Sequence, residues 1–497
     1  MQEEKSKDTL LNSKNLTDKE KLIWVYVISV IFIALNIYFI IQEFYWLCLL
    51  PVAIVIILLF FFSLDKVLYF IVFATPLAFS MRDYDERITL SLPTEPLLFA
   101  VLILFVLKML FERNYDLKVL KHPVTIAILF NLVWILVTSF TSEIPLVSFK
   151  FLVARLWFIV PFYFVVIILF RKLNSIKLVS WMYVIPLCIV IIYSTYRLYL
   201  WAFDEQAAHW VMDPFYNDHT AYGAAISLFI PVFFGFVMDK RYNRTQKLFA
   251  GILFLILLSG LYFSYSRAAW VSVIVAIGVG ILLYYRIKFR WVFLLLTTLF
   301  VVFIYFQNEI LWKLEKNKQD SSANFVEHVE SISNISSDAS NLERINRWQS
   351  AFRMFHQRPF WGWGPGTYQF VYAPFQQSKD KTIISTNAGD KGTAHSEYIG
   401  PLAESGVIGL LSVIAIVITI SITAIRLYKT AKNPEVKLLS MIYFLGLVTY
   451  FVHGTLNNFL DTDKSSVPFW AFAASIVALD LYHNHSNIEK PVEQVEK

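Results

Sequence analysis

One histidine in this sequence stands where a long polar segment gives way to an apolar run. His395 lies in AHSEYIGPLAESG, the last polar stretch before that run. A neutral imidazole, with an unperturbed pKa of about 6.5, can take the proton of a hydroxyl group that attacks an electrophile. We therefore predict that His395 is a general base, and the alternative is an ordinary histidine at a membrane interface.

Three arginines could bind an anionic leaving group. Arg267 begins an apolar run in SYSRAAW, and Arg344 and Arg347 precede His395 in the polar segment. A guanidinium stays charged, and its planar set of N–H donors matches phosphate oxygens. The alternatives are that Arg267 reaches lipid headgroups and that Arg347 lies on a solvated helix face. A cation in the first turn of a helix is disfavoured by the helix dipole, so the position of Arg344 requires another reason.

Further polar residues near the ends of the apolar runs are accessory candidates. Charged groups in such positions are costly and are often functional. Together with Arg347, they are Glu404, Asp218, His219, Arg155 and Asp461. Glu404 comes soon after His395 and could cap a helix, pair with an arginine or orient the histidine.

Pairs of aspartates at a spacing of two raise the question of a metal. Asp83 and Asp85 lie in RDYDER, and Asp461 and Asp463 lie in LDTDK. Two carboxylates could bind a divalent cation, but such pairs are frequent in loops. The two cysteines fall inside apolar runs, which does not indicate a metal cluster or a disulfide framework. We predict no metal and no cofactor, and keep a metal-dependent enzyme that uses Asp83 and Asp85 as an alternative.

The elements that must position these residues are membrane-spanning helices. Of the 497 residues 57% are hydrophobic and only 16% are charged, and the mean hydropathy is +0.57. Apolar runs close to the bilayer-spanning length of about 20 residues recur along the chain. The net charge of +6 comes from basic residues scattered between these runs, which does not favour nucleic-acid binding. We therefore predict an all-α polytopic membrane protein in contact with membrane lipids.

We expect fourteen membrane-spanning helices, with twelve as the lower limit. The apolar runs that define them are 22–41, 45–63, 66–81, 95–111, 123–140, 149–170, 178–200, 220–238, 247–265, 268–285, 291–307, 402–427, 436–454 and 466–483. Loops rich in lysine and arginine alternate with loops poor in them. Because basic loops stay in the cytoplasm, this alternation predicts a cytoplasmic amino terminus and an even number of spans.

The same pattern divides the chain into five parts. They are a cytoplasmic tail (1–21), a transmembrane bundle of eleven spans (22–307), a large periplasmic loop (308–394), a transmembrane bundle of three spans (395–483) and a cytoplasmic tail (484–497). A loop of that length is well beyond ordinary connections and is usually functional or disordered. This topology places the candidate residues at the outer side of the membrane.

The second half of the large loop contains a predicted amphipathic helix, 341–357. Its apolar residues recur at steps of three and four and are Leu342, Ile345, Trp348, Phe352 and Phe355. Ser340 and Glu343 match a capping box that would start the helix, and Pro359 would end it. Arg344 and Arg347 fall outside the apolar stripe. The glycines of the following FWGWGPGTY allow a tight turn beside aromatic rings.

Three motifs, in this order, resemble the O-antigen ligase and polymerase superfamily of bacterial envelope polysaccharide assembly. The first is an arginine that opens a span after small residues, here Arg267 in SRAAW. The second is a loop arginine followed by a Pro-x-x-Gly-x-Gly turn, here Arg344 and PFWGWGPG. The third is a His-x10-Gly segment, here His395 to Gly406, in which a serine follows the histidine where asparagine is common.

The resemblance implies an integral membrane glycosyltransferase of the GT-C-like kind that acts without a metal. Such enzymes transfer a glycan from an undecaprenyl-diphosphate carrier to an acceptor hydroxyl, with inversion, at the periplasmic face of the bacterial inner membrane. In this sequence Arg267 and Arg344 would hold the diphosphate, and His395 would activate the acceptor. The acceptor would be lipid A core in lipopolysaccharide biosynthesis, a second carrier-linked glycan, or a protein hydroxyl.

Two other functions stay open at this point. A polysaccharide polymerase differs from a ligase only in its acceptor, which the sequence does not decide. A non-enzymatic flippase or exporter of lipid-linked glycans would carry polar residues along the middle of its spans. The spans here are mostly apolar, with charge concentrated at their ends, which favours chemistry at the membrane surface.

Overall fold

The computed structural model describes residues 18–42, 63–82, 89–112, 115–287, 339–378, 385 and 392–484, together with single positions between 290 and 306. The chain divides into two compact units, Met1–Val67 and Leu68–Lys497. Helix α1 (Asp18–Ile41) lies in the first unit, and its apolar stretch is long enough to cross a bilayer.

The second unit is built almost entirely of helices, and α2 begins just before its boundary. The helices are α2 (Leu64–Ala74), α3 (Thr94–Glu112), α4 (Leu117–Leu120), α5 (Pro123–Phe140), α6 (Pro145–Ile159), α7 (Val166–Leu169), α8 (Leu173–Leu200), α9 (His219–Met238), α10 (Arg244–Phe263), α11 (Arg267–Tyr284), α12 (Ala339–Gln357), α13 (Tyr368–Val371), α14 (Ile399–Thr430), α15 (Pro434–His453) and α16 (Asp463–Ala478). π-helical segments join α6 to α7 (Val160–Val165) and extend α16 (Leu479–His483).

Eleven helical segments among the described residues are long and apolar enough to cross a membrane. They correspond to eleven of the predicted apolar runs, so the predicted all-α, multi-pass membrane architecture is confirmed. The predicted spans 45–63 and 291–307 lie almost entirely outside the described residues. These two spans therefore stay predictions.

The predicted span 66–81 is wrong. α2 has 11 residues and ends at Ala74, which is too short to cross a bilayer. Pro76 follows in a 3-10 turn, and it lacks the N–H that a continuing helix needs. The chain then forms an antiparallel hairpin of β1 (Phe79–Arg82) and β2 (Thr89–Leu92), in which the first residue of one strand lies opposite the last residue of the other.

Helices α9, α15 and α16 form the centre of the bundle, and most of their residues are buried. α9 packs against α10, α11 and α15. Glycines allow the closest approach: a methyl group at Gly446 of α15 would lie 2.6 Å from the carbonyl oxygen of Leu228 in α9. Small residues let helix backbones approach in membranes, where van der Waals packing drives association.

Charged residues gather at the two ends of the bundle. At one end Lys177 of α8 binds Glu435 of α15 at 2.7 Å. At the other end Thr94 of α3 donates a hydrogen bond to Asp463 of α16. His395 and the segment 339–378 lie at this second end, which the charge pattern predicts to be periplasmic.

The amphipathic pattern predicted for α12 is wrong about which face is buried. The buried residues of this helix are Glu343, Asn346, Arg347, Ser350, Ala351 and Met354. Of the predicted apolar stripe, Phe352 is exposed and three other residues are only partly buried, while the side chains of Leu342 and Ser340 lie outside the described residues. The buried polar groups bind one another, with Arg347 Nε at 2.7 Å from Glu343 Oε1, so this face did not require apolar side chains.

α12 forms a small core with the residues that follow it and with the start of α14. The buried members are Ala351, Met354, Tyr368, Tyr372, Ala394 and Ala403. The segment 339–378 therefore packs against the helix that His395 precedes.

Candidate active site

His395 lies in the short segment 392–398 that leads into α14, and its backbone is in the left-handed region (φ 48°). Residues other than glycine rarely adopt that conformation, and it persists where the surroundings enforce it. The N–H of His395 donates to Thr393 Oγ1 (3.3 Å), and the Thr393 hydroxyl donates to Asn458 Oδ1 (2.9 Å). These bonds fix the backbone from which the imidazole projects.

Glu397 fastens the same segment to the turn after α15. Its N–H donates to the carbonyl of Gly454 (2.8 Å). Its carboxylate accepts hydrogen bonds from the Tyr450 hydroxyl (2.8 Å) and from the N–H of Leu460 (2.9 Å). His395 is therefore held against the end of α15 by bonds on both sides of it.

Charges from two other parts of the chain act on His395. Arg344 and Arg347 come from α12, and Asp218 stands just before α9. Burial and the two guanidinium groups lower the pKa of His395 to about 4, and the nearby carboxylates offset only part of this shift. The imidazole is therefore neutral at physiological pH, which is the form that accepts a proton.

Arg347 is buried beside the His395 segment, with 4% of its side chain exposed. Its Nε binds Glu343 Oε1 at 2.7 Å, and its guanidinium lies 4.8 Å from the centre of the Tyr372 ring. Its Nη1 reaches the carbonyl oxygen of Thr393 at 3.4 Å. The interpretation of Arg347 as part of a solvated face is therefore wrong, because this side chain packs against the segment that carries His395.

Breaking this ion pair should destabilise the loop. Burial would raise the pKa of Glu343, but hydrogen bonds from Ser385 and Arg347 outweigh burial and hold this pKa below its usual range. We expect Arg347→Met to lower the free energy of unfolding by about 3–5 kcal/mol, because it leaves a buried carboxylate without its cation. Thermal unfolding in detergent and limited proteolysis of 339–378 measure the change.

Two variants control for the loss of packing. Arg353→Met removes a less buried guanidinium from the same helix and should cost much less. The double variant Arg347→Met with Glu343→Gln should recover part of the loss, because no charge remains buried. A double variant as unstable as Arg347→Met alone would contradict the electrostatic explanation.

Arg344 is partly buried on α12, and its charge has the largest effect of any charge on His395. α12 begins at Ala339, so Arg344 lies in the second helical turn and not in the first. The prediction that Arg344 lies in the first turn is therefore wrong, and the expected penalty from the helix dipole does not apply to it. The predicted phosphate-binding arginine and the predicted base instead act on each other electrostatically.

Asp218 caps α9 and presents a negative charge to His395. Its carboxylate accepts a hydrogen bond from the N–H of Thr220 (2.8 Å) and binds His219 Nδ1 (3.1 Å). Burial would raise the pKa of Asp218, but the bonds from His219 and Thr220 outweigh burial and hold this pKa well below its usual range. The rings of His219 and His209 stack with their centres 4.1 Å apart. Asp218 therefore stays ionised.

Arg267 is the first residue of α11 and is partly buried. It follows a tight turn in which Tyr265 has a φ of 48°. The start of α11 packs on α9, where a methyl group at Gly223 would lie 2.8 Å from Ser266 Cβ. Arg267 therefore begins its helix beside the helix that Asp218 caps.

Arg155 and Asp461 belong to a second group of charges. The Arg155 guanidinium, on α6, contacts Asp461 Oδ1 (3.2 Å), Glu397 Oε2 (3.7 Å) and the carbonyl oxygen of Leu460 (3.1 Å). These contacts join α6, the segment 392–398 and the turn before α16. The two accessory candidates thus support the backbone near His395 from the side of Glu397.

Glu404 holds the glycine turn of the loop on α14. Its Oε1 accepts a hydrogen bond from the N–H of Tyr368 (3.0 Å), and its carbonyl oxygen accepts one from the N–H of Gly364 (2.7 Å). Among the roles predicted for Glu404, capping a helix is the one that these contacts support, because Tyr368 is the first residue of α13. The group it binds is the turn, so Glu404 links the loop to α14.

Two glycines let the backbones of the turn and of α14 interlock. Gly362 (φ 65°) and Gly406 (φ 69°) both lie in the left-handed region, and Gly406 interrupts the helical geometry of α14. A side chain at Gly362 would collide with the carbonyl of Glu404, and a side chain at Gly406 would collide with the carbonyl of Phe360. Only glycine combines this conformation with so close an approach.

His453 is a residue of this region that the sequence reasoning missed. It is the last residue of α15 and is completely buried. Its Nε2 has no hydrogen-bond partner among the described residues, and its Nδ1 lies 3.5 Å from the amide nitrogen of Asn457. The charges of Asp218 and Arg344 act on His453 as they do on His395. The available signal was a histidine in HGTLNN, at the predicted outer end of a span.

The described residues contain no group of three or more histidine, cysteine, aspartate or glutamate side chains that could hold a metal ion. Asp83 and Asp85 lie outside the described residues. Asp463, from the second aspartate pair, is buried and bonded to Thr94. Metal independence itself stays a prediction.

The central residues of this site fall within one continuous part of the chain. Residues 252–414 match the family described as O-Antigen ligase. The matched segment is about a third of the chain and contains Arg267, Arg344 and His395 as well as the glycine turn. This match confirms the resemblance predicted from the three motifs. No curated protein matches the chain.

Proposed function

We propose that this protein is an O-antigen ligase-like glycosyltransferase. It moves a glycan from undecaprenyl diphosphate to an acceptor hydroxyl at the periplasmic face of the bacterial inner membrane. The observation that carries the proposal is a neutral, partly buried His395, itself inside the matched segment, on which the charges of Arg344, Arg347 and Asp218 act. A general base next to phosphate-binding cations is the combination that this reaction requires.

The reaction needs a base on one face of the sugar and positive charge on the other. His395 takes the proton of the acceptor hydroxyl as its oxygen bonds to the anomeric carbon. The bond from this carbon to the phosphate oxygen breaks, and its electron pair goes to the leaving diphosphate. Arg344 and Arg267 stabilise the charge that develops there, in a partly dehydrated site where such interactions are strong. Attack opposite the leaving group inverts the configuration.

The charges around His395 also adjust its basicity during the cycle. In the free protein Arg344 and Arg347 help to keep the imidazole neutral. A bound diphosphate offsets these positive charges, so the pKa of His395 rises towards its ordinary value as the donor binds. Asp218 then stabilises the imidazolium that forms. The base is therefore stronger when both substrates are in place.

A transfer assay with purified protein tests the proposal. Undecaprenyl-diphosphate-linked glycan is mixed with lipid A core, with a second carrier-linked glycan or with a protein acceptor, with and without EDTA. We expect transfer that survives EDTA, because the site supplies cations from arginines. Loss of transfer in EDTA that returns with a divalent cation would contradict this mechanism, and the acceptor that is used separates a ligase from a polymerase. Movement of intact donor across a bilayer without transfer would indicate a flippase.

The pH dependence of the reaction follows from the environment of His395. Since kcat/KM reports the free enzyme, its acid limb should fall near pH 4, where the imidazole becomes protonated. The acid limb of kcat should lie at higher pH, because the bound diphosphate raises this pKa. Initial rates from about pH 3 to about pH 8, at low and at saturating donor, measure both limbs. If the acid limbs of kcat/KM and kcat fall at the same pH, binding of the donor does not alter the charge around the base, and this prediction is wrong.

A further inference from the structure

A cavity lies on the other side of the 392–398 segment from these charges. It encloses about 790 Å³, including the space at its opening, between α5, α6, α14, α15 and α16. Arg155, Glu397 and Glu404 line it, whereas His395, Arg344 and Arg347 are not among its lining residues. It is therefore separate from the candidate active site, although Glu397 borders it just two positions after the histidine.

The walls of the cavity are apolar along most of its length. On α14 one helical face lines it from Pro401 through Val413 to Val417, a rise of roughly 24 Å at 1.5 Å per residue. Ile159 of α6 and Phe469 of α16 line the facing walls. A long slot with such walls inside membrane-spanning helices suits a single hydrocarbon chain.

The charge at the polar end of the slot does not favour phosphate. Two carboxylates, Glu397 and Glu404, line it with one guanidinium, and that guanidinium is already paired with Asp461 at 3.2 Å and with Glu397 at 3.7 Å. An anionic headgroup would find no surplus positive charge to pair with here. Hydroxyl groups can instead donate hydrogen bonds to the carboxylate oxygens. The candidate active site differs, because the arginines that act on His395 favour an anionic group there.

A buried donor also lines this cavity without a partner. The Nε1 of Trp470 is buried and makes no hydrogen bond to any described residue, and an indole N–H can only donate. Buried polar groups are normally satisfied, so an unsatisfied one next to a cavity indicates an absent acceptor.

We propose that this slot binds a neutral amphiphile, with its hydrocarbon chain along α14 and a hydroxyl-bearing headgroup beside Arg155, Glu397 and Glu404. The site goes beyond glycan transfer and does not depend on it. Its ligand differs in charge from the diphosphate carrier, so the protein has two lipid sites of different chemistry. Both carboxylates at its polar end also hold parts of the active site, Glu397 through the histidine segment and Glu404 through the glycine turn.

Photolabelling tests the slot directly. The full-length protein in phosphatidylcholine nanodiscs is labelled with a hexadecyl glucoside that carries a diazirine in its chain, and labelled residues are located by mass spectrometry. We expect saturable labelling on α14 between Pro401 and Val417. Hexadecyl glucoside should compete at least about tenfold better than hexadecyl phosphate, a difference of 1.4 kcal/mol.

Matched variants show whether the label reports this slot. Val413→Trp fills it and should abolish the labelling, whereas Ile418→Trp, on the exposed side of the same helix, should leave it unchanged. His395→Ala should also leave it unchanged, which separates this site from the proposed reaction. Unsaturable labelling, equal competition by the phosphate, or full labelling of a correctly folded Val413→Trp protein would each overturn the proposal.

Discussion

Replacement of His395 by alanine should lower the turnover of glycan transfer by about 10²–10⁴-fold, which is the range that general-base catalysis contributes. The KM for the donor should change little, because the arginines that hold the diphosphate remain. The loss follows from the removal of the neutral imidazole that accepts the proton of the acceptor hydroxyl. Initial rates at saturating donor and acceptor, together with rescue by added imidazole, measure the effect.

The controls for this prediction are the other histidines. His356→Ala removes an exposed imidazole from α12 and should have the rate of the wild-type protein. His453→Ala tests the buried histidine on which the same charges act. If His453→Ala lost activity while His395→Ala kept it, the base would have to be reassigned to His453.

Replacement of Arg344 by alanine should lower kcat/KM by about 10²–10³-fold, the usual cost of removing one group that stabilises charge in a transition state. It should also move the acid limb of kcat/KM from near pH 4 towards higher pH. The reason is that the Arg344 charge helps to lower the pKa of His395, so its removal lets this pKa rise. A pH–rate profile of the variant measures both effects in one experiment.

Two matched variants sharpen this test. Arg344→Lys keeps the charge but not the planar fork, so the acid limb should stay near its wild-type position while part of the rate is lost. Arg353→Ala removes another arginine of α12, one that binds the carbonyl of Phe375 (2.7 Å), and should leave the pH profile unchanged. If the acid limb of kcat/KM does not move in Arg344→Ala, the charge of Arg344 does not influence the pKa of His395, and this prediction is wrong.

The helices were predictable because a bilayer imposes a simple rule on the sequence. A run of about 20 apolar residues usually forms a membrane-spanning helix, because backbone polar groups in lipid must be hydrogen-bonded within the segment. Eleven of the predicted runs are helices at the expected positions. The run 66–81 failed because hydropathy alone does not register the break at Pro76. The sequence pattern therefore gives the length of an apolar stretch more reliably than its backbone conformation.

The loop helix shows a limit of amphipathic patterns. The stripe that contains Phe352 looked like a buried face because apolar residues usually face a protein core. The polar face with Glu343 and Arg347 is buried instead, since these two side chains neutralise each other. A pattern cannot show such pairing in advance, because it depends on Tyr372 and Thr393, which come from later parts of the chain.

The members of the site were easier to predict than their grouping. His395, Arg344 and Asp218 were candidates because charge near a membrane surface is costly, and the structure brings their charges together. Arg155 was a candidate for the same reason, yet it pairs with Asp461 in a different group. Which of these residues contact one another depends on how the helices are arranged around the bundle. The hydropathy of the sequence does not predict that arrangement.

The interlocked glycines of the turn and of α14 constrain how this protein can vary between species. A side chain at Gly362 or at Gly406 would collide with the backbone of the other segment, so a change at one position forces the other segment to move. We expect the two glycines to be retained or lost together. In distant relatives this pair would then mark the docked loop after other similarity has faded.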